Sequence, residues 1–279
     1  MSGFSPDWLA LREPADKAAR AGELAGQVFS HFSGRDHVTI LDLGCGSGAN
    51  LRALAGNLPA RQTWRLVDWD HALLHAARGA LVAWADQAES SGDDVHLHKE
   101  GREITVRFEQ ADLASGLDAV LDGGADLVTA TAFFDLVSTD WIAQFCGAIE
   151  RRHVPLYATL TYDGTEMWQP PHPADAKVLA AFHAHQSGDK GFGPSAGPFA
   201  AAHLARVLEA QGYRVETAQS PWKLGPAQAA LIHELVNGAA DAVGETGLVP
   251  ALDLKSWREA RLAGASCIIG HVDLFATPA

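Results

Sequence analysis

Residues 37–48, HVTILDLGCGSG, constrain this chain more than any other segment. The first seven are an apolar, β-branched run of strand length. Gly44, Gly46 and Gly48 follow at alternate positions, and then ANLRALAGNL, spaced as a helix. A strand that empties through glycines into a helix is the opening βα unit of an α/β domain that holds a ligand at the turn. Glycine suits that turn because the backbone reverses tightly and a ligand approaches it with no side chain between.

The alternation continues along the chain. Strand patterns recur at residues 64–68, 104–110, 125–130, 154–161, 213–218 and 266–274, which with the first makes seven. Helical spacing lies between them. Asp70 is an N-cap for a helix that places Leu73, Leu74, Ala77 and Leu81 on one face, and Trp141, Ile142, Phe145 and Ile149 mark another. Strands alternating with helices predict βαβ units and a parallel sheet with right-handed crossovers. Residues 8–32 read as one or two helices, a cap spanning 1–36 ahead of a main domain at 37–279. Residues 90–102 read as a polar surface excursion in which His96 and His98 face water. After Tyr162 the regularity breaks. Prolines, a short helix carrying Val178, Leu179 and Phe182, and a glycine-rich stretch at 187–198 predict an inserted lid over about 163–200. A second, helical insertion is expected at about 225–265.

Two ligands suit the glycine turn. Gly44-x-Gly46-x-x-Ala49 loosely matches the dinucleotide fingerprint, in which a pyrophosphate meets the helix N-terminus. Three strand-end features favour the other. Asp42 precedes the turn and would repel a pyrophosphate, whereas it suits the α-ammonium of a methionine moiety. Asp68 ends the next strand, in reach of ribose hydroxyls. Asp112 and Leu113 follow the third, placed to take an adenine amino group and cover its ring.

At these residues the sequence resembles the class I S-adenosylmethionine-dependent methyltransferases. VTILDLGCGSGANLRAL looks like their first motif, RLVDWD their second and VRFEQADL their third, and DLVTATAFFDLV is similar to the strand-four segment lining the methyl donor. The resemblance covers residues 39–162. It implies a Rossmann-like, doubly wound, seven-stranded α/β sheet with an antiparallel last strand and added helices over the substrate side. It also implies S-adenosyl-L-methionine as cofactor and methyl transfer to a small-molecule acceptor. Carried across, Gly44, Gly46, Asp68 and Asp112 become cofactor contacts, with Trp69 packed on the adenine face opposite Leu113. Asp42, Cys45 and Thr131 lie in the same motifs and join that set. Arg12 and Arg20 are candidates for the donor carboxylate, against the plainer reading of a charged helix face with local ion pairs.

The acceptor then meets the ends of strands four and five and the segments after them. That selects Phe133, Phe134, Tyr162, His183, Gln186 and Lys190 as substrate-binding residues, and Asp135 and His185, with His183 beside them, as candidates for a catalytic base. A polar or anionic acceptor is expected, met around His185 and Lys190.

The 34 Asp and Glu against 21 Lys and Arg give a formal charge of −13, and no basic cluster breaks it. Nucleic acid is a poor partner for such a surface. Cys45, Cys146 and Cys267 are too few and too scattered for a disulfide framework or a zinc site, and no metal is expected. No apolar run has the length of a membrane helix, and the first residues carry no secretory pattern, so a cytoplasmic protein is expected. The rival readings are an aminopropyl transferase of the same fold, a non-catalytic donor-binding protein and a dehydrogenase, the last disfavoured by Asp42.

Overall fold

The computed structural model describes residues 4–279. The apolar runs form one sheet. β1 (His37–Leu43) pairs in parallel with β2 (Arg61–Asp68), and β2 with β5 (Arg102–Gln110). On its other side β1 pairs in parallel with β6 (Leu127–Thr131), and β6 with β7 (Leu156–Gln169). β10 (Ser266–Pro278) lies antiparallel between β7 and β8 (Tyr213–Gln219). The path β5-β2-β1-β6-β7-β10-β8 contains the seven expected strands, the last of them antiparallel.

The sheet is larger than seven strands. β3 (Gln87–Ser91) and β4 (Asp94–Lys99) form an antiparallel hairpin that extends the β5 edge. This corrects the expectation of a polar excursion at 90–102. Val95 and Leu97 are buried at alternate positions, while His96 bonds Thr105 across the pair. β7 also runs past Thr161 to Gln169, because the first half of β10 pairs with it and β9 (Trp222–Leu224) pairs with β10 in turn.

Helices cover both faces. α2 (Gly22–His31), α3 (Ala49–Leu54) and α4 (His71–Trp84) enclose one apolar core with Ile40, Trp64 and Leu66. α5 (Leu117–Asp122), α6 (Thr139–Glu150) and α8 (Ala200–Ala210) enclose another with Leu41, Leu43 and Val128. Asp70 caps α4, accepting from the Ala72 amide at 2.8 Å. A third core joins α7 (Asp175–Gln186), α9 (Ala229–Thr246) and α10 (Ala251–Leu262) to the far half of β7 and to β9, with α1 (Pro6–Ala19) against it. Among the described residues no helix is long and apolar enough to cross a membrane.

One buried side chain ties these layers together. Asp273 is fully buried in β10. Its Oδ1 accepts from the Leu160 amide at 2.8 Å and from Ser220 Oγ at 2.6 Å, and its Oδ2 accepts from the Ala21 amide at 2.9 Å. The β7–β10 register shifts between Val272 and Leu274, where Leu160 adopts a left-handed φ of 54°. The carboxylate thus takes the amide freed by the bulge and fixes both the α1–α2 junction and the β8–β9 link. Asp273→Ala would leave three buried donors unpaired. It is expected to lower stability by about 3–5 kcal/mol in urea unfolding, against under ~1 kcal/mol if the carboxylate is incidental.

Candidate active site

The carboxyl ends of β1, β2, β6 and β7 converge where the strand order reverses, between β1 and β6. Gly44, Gly46 and Gly48 all take positive φ, at 61°, 52° and 75°. A Cβ on Gly44 would stand 2.7 Å from Phe133, and one on Gly46 would stand 2.9 Å from Leu9 of α1. At Gly44 and Gly46 the turn therefore has no room for a Cβ, because the β6 end presses on the first and α1 on the second.

The amides of this turn are largely spent inside the protein. Cys45 N–H donates to the Val67 carbonyl, Gly48 N–H to the Cys45 carbonyl, and Gly46 N–H to Asp68 Oδ2 at 2.9 Å. That disposition gives a pyrophosphate little to bind. Asp42 at the end of β1 makes the environment more hostile still. It is wholly buried, and its Oδ1 accepts from Asn50 Nδ2 at 2.7 Å and Thr129 Oγ1 at 2.8 Å, while its Oδ2 has no partner. Burial raises this carboxyl to about 6, against the opposing pull of Asn50, Thr129 and the Arg20 charge.

Arg20 stands at the α1–α2 junction. Its Nη1 donates to Thr159 Oγ1 at 3.2 Å and its Nη2 to Thr131 Oγ1 at 3.3 Å, while its buried Nε has no partner. Asn50 Oδ1 and the Tyr157 hydroxyl are also buried here without partners, but Asp42 Oδ2 and Arg20 Nε are the two unpaired atoms on groups of opposite charge. The ammonium and carboxylate of an α-amino acid match those two needs, so the residues present fit the methionine end of the expected cofactor.

The remaining expected cofactor residues line the edge toward β5. Asp68 is buried, accepting from the Gly46 and Asp70 amides, and burial raises its carboxyl above the usual range. Trp69 is 49% exposed beside it. Asp112 is exposed, bracing its own turn through Ala114 N and Ser115 Oγ. Leu113 is buried in the α5–α6 core, its carbonyl accepting from Trp141 Nε1, so the exposed aromatic surface there is that of Trp69. The Cys45 thiol is buried and held well above its ordinary value by desolvation and by Asp68 and Asp42, so it is no nucleophile.

On the β7 side the structure sorts the acceptor candidates. Phe133 and Phe134 are buried, and Phe133 packs edge-on against Phe192 at 5.9 Å. Asp135 is buried. Gln186 Nε2 donates to its Oδ2 at 3.3 Å, and its Oδ1 has no partner. Burial raises Asp135 to about 6, opposed by its own backbone amide, by the nearby Arg12 charge and by the Tyr162 backbone amide. Tyr162 hydroxyl donates to Glu166 Oε1 at 3.1 Å and stands 3.0 Å from His183 Nε2, while Trp168 Nε1 donates to Glu166 Oε2. With the single phenol hydrogen given to Glu166, His183 donates to Tyr162, and this chain closes on itself.

His185 does not join the group. It faces α9 and bonds Glu245 Oε2 at 3.0 Å, since residues two apart on α7 point to opposite sides, His183 inward and His185 across to its neighbour. Lys190 lies half-buried in the 187–198 loop, and that loop is held rather than free. Asp189 Oδ1 accepts from the Gly191 and Gly193 amides, Ser195 Oγ donates to the Gln186 carbonyl, and Ala196 N–H donates to the Val137 carbonyl.

Arg12 follows the plainer expectation of a local ion pair, but within a part-buried cluster under α1 that the sequence did not indicate. Arg12 Nε and Nη2 donate to Asp16, Trp222 Nε1 donates to Asp16 Oδ1 at 3.0 Å, and the Arg12 guanidinium lies over the Trp222 ring at 5.0 Å. His271 packs beside Trp222, lowered to about 3 by burial and by Arg12. The i,i+4 spacing of Arg12 and Asp16 gave the ion pair, but no pattern gave its burial.

The strand order, with its antiparallel penultimate strand, and the site at the β1–β6 reversal decide the architecture. This is the class I methyltransferase fold. Among solved structures the chain is similar to a cyclopropane-fatty-acyl-phospholipid synthase-like protein from Lactobacillus casei ATCC 334, with a TM-score of 0.58 at 14% identity, covering 96% of this chain and 91% of that one. It is also similar to a Bacillus halodurans C-125 protein named as a candidate methyltransferase, with a TM-score of 0.51 at 12% identity over 92% and 100% of the two chains. A mycolic acid cyclopropane synthase solved with S-adenosylhomocysteine gives a TM-score of 0.48 at 10% identity over 91% and 83%. No family model and no curated protein matches the chain.

In this methyltransferase fold the unpaired Asp42 has a measurable cost. A carboxyl raised from 3.8 to about 6 costs stability as pH climbs between those values. Asp42→Asn, which keeps an acceptor for Asn50 and Thr129, is expected to stabilise the ligand-free protein by about 1–3 kcal/mol at pH 7.5, with the gain vanishing near pH 4. Urea unfolding at the two pH values checks this. A variant destabilised at pH 7.5 would contradict it.

Proposed function

We propose that the protein is an S-adenosylmethionine-dependent methyltransferase acting on a small molecule. The observation that carries this reading is the pair of unpaired buried atoms at the strand edge, Asp42 Oδ2 and Arg20 Nε. Asp42 would receive the donor's α-ammonium, directly or through water, and Arg20 its carboxylate, steadied by Thr131 and Thr159. Asp68 would accept from the ribose hydroxyls, and Asp112 and Trp69 would take the adenine. When bound, this cofactor supplies an already activated methyl group, so the chain itself has to align, desolvate and accept a proton.

Phe133 supports the desolvating role: it abuts Gly44 on one side and Phe192 of the 187–198 loop on the other. That loop would serve as the lid and α1 as the second cover. Asp135, just past the β6 end, is the residue proposed to touch the acceptor. A base elsewhere is less well supported, since His183 and Tyr162 satisfy each other and His185 is engaged by Glu245. Unpaired acceptors on Asp135 and Gln186 also favour an enzyme over a donor-binding protein with no second site. The charge of −13 argues against nucleic acid as the acceptor, and three free, buried cysteines suit a reducing, cytoplasmic setting.

Calorimetric titration tests the reading. S-adenosylhomocysteine is expected to bind, NAD is not, and Asp68→Ala is expected to weaken S-adenosylhomocysteine by about 1–3 kcal/mol. Binding of NAD in its place would overturn the proposal.

A further inference from the structure

Past Phe133 the β6 end presents acceptor atoms without donors. Asp135 Oδ1 and Gln186 Oε1 are buried acceptors with no partner, and the buried His271 Nδ1 is likewise unpaired. Asp135 and Gln186 are joined directly, through Gln186 Nε2 to Asp135 Oδ2 at 3.3 Å. His271 and Asp135 both feel the Arg12 charge, and the Tyr162 ring packs 6.2 Å from His271. Asp135 sits two residues beyond Phe133, which itself packs on the glycine turn. The cluster therefore follows directly on the wall of the glycine turn.

The cations nearby do not supply the missing donors. Arg12 spends its Nε and Nη2 on Asp16, which matches its charge. Tyr162 gives its hydrogen to Glu166, and His183 gives its own to Tyr162. The Gln186 side-chain amide gives its nitrogen to Asp135 Oδ2, which leaves Oε1 as its unpaired end, while Ser195 Oγ holds the Gln186 backbone carbonyl. A ligand entering here is asked for at least two hydrogens. A hydroxyl brings one. A carboxylate or phosphate brings only more acceptors, and negative charge against Asp135 and Glu166. An amine brings two or three, and positive charge when protonated.

Resting on the methyltransferase reading, we infer that the acceptor is a small primary amine, its N–H groups received by Asp135 Oδ1 and Gln186 Oε1. Of the polar or anionic acceptor expected around His185 and Lys190, this keeps the polar group and moves it to Asp135 and Gln186. Arriving as an ammonium, the amine passes one proton through Asp135 to water. Its lone pair then forms the N–C bond while the C–S bond breaks and that electron pair stays on sulfur, leaving a thioether. The product is an N-methylammonium that keeps an ion pair with Asp135.

The test uses protein saturated with S-adenosylhomocysteine and titrates matched probes: benzylamine against benzyl alcohol, and n-butylamine against n-butanol and butyrate. Each amine is expected to bind about tenfold or more tightly than its partners. Asp135→Asn is expected to reduce that preference to about threefold or less while S-adenosylhomocysteine affinity holds within about twofold. Gln186→Leu, which leaves the β6 end intact, is expected to give an intermediate preference and carries the test if Asp135→Asn does not fold. An alcohol or butyrate binding as well as the amine, no binding of any probe, or a preference untouched by both variants would overturn the inference. If S-adenosylhomocysteine itself does not bind the parent protein, the methyltransferase reading fails instead.

Discussion

A carboxylate taken out of water must be paired, and this fold buries several along one edge of its sheet. Asp273 shows what full pairing looks like: three donors from three separate segments converge on it, and nothing is left for a ligand. Asp42 and Asp135 are buried as deeply, yet each keeps one oxygen bare. The contrast separates a carboxylate that holds the architecture from two that wait for a partner. Their raised pKa values follow from the same deficit, since desolvation is answered only in part.

The satisfied carboxylate positions the unsatisfied ones. By taking the Ala21 amide, Asp273 fixes the residue next to Arg20, and Arg20 reaches Thr131 and Thr159 at the ends of β6 and β7. By taking the Leu160 amide it stabilises the bulge past which β7 continues, and that continuation carries Tyr162, Glu166 and Trp168 to the acceptor side. The cap helices are therefore part of the site and not an appendage to it. Leu9 lies on Gly46, Glu13 pairs with Arg52 of α3, and Asp16 holds Trp222.

Much of the proposed donor side rests on signals that are local in sequence. A β-branched run ending in glycines, and Asp at successive strand ends, need no knowledge of distant contacts. Alternation gave the strands and their parallel pairing, while the antiparallel last strand came from the resemblance to the methyltransferases. Val95 and Leu97 were equally readable by their period of two, but the polar run from Glu89 to Asp94 before them obscured it. The length of β7 was hidden by Gly164 and the prolines after it; only its pairing with β10, a hundred residues on, makes that segment a strand. The acceptor side was the least legible. The difference between His183 and His185 lies in what packs against α7, and the unpaired state of Asp135 and Gln186 depends on donors that could have come from anywhere in the chain.

The claim that an amino-acid ammonium settles on Asp42 is tested most directly by titrating S-adenosylhomocysteine calorimetrically from pH 7.5 to pH 5. In the free protein Asp42 takes up a proton near pH 6. A cation beside it lowers that value, so binding expels the proton, and affinity is expected to fall toward tenfold per pH unit below about 6, with proton release visible in buffers of different ionisation enthalpy. Asp42→Asn should bind more weakly at pH 7.5 and lose that slope. An affinity flat across this range, or a slope that survives in Asp42→Asn, would contradict the account.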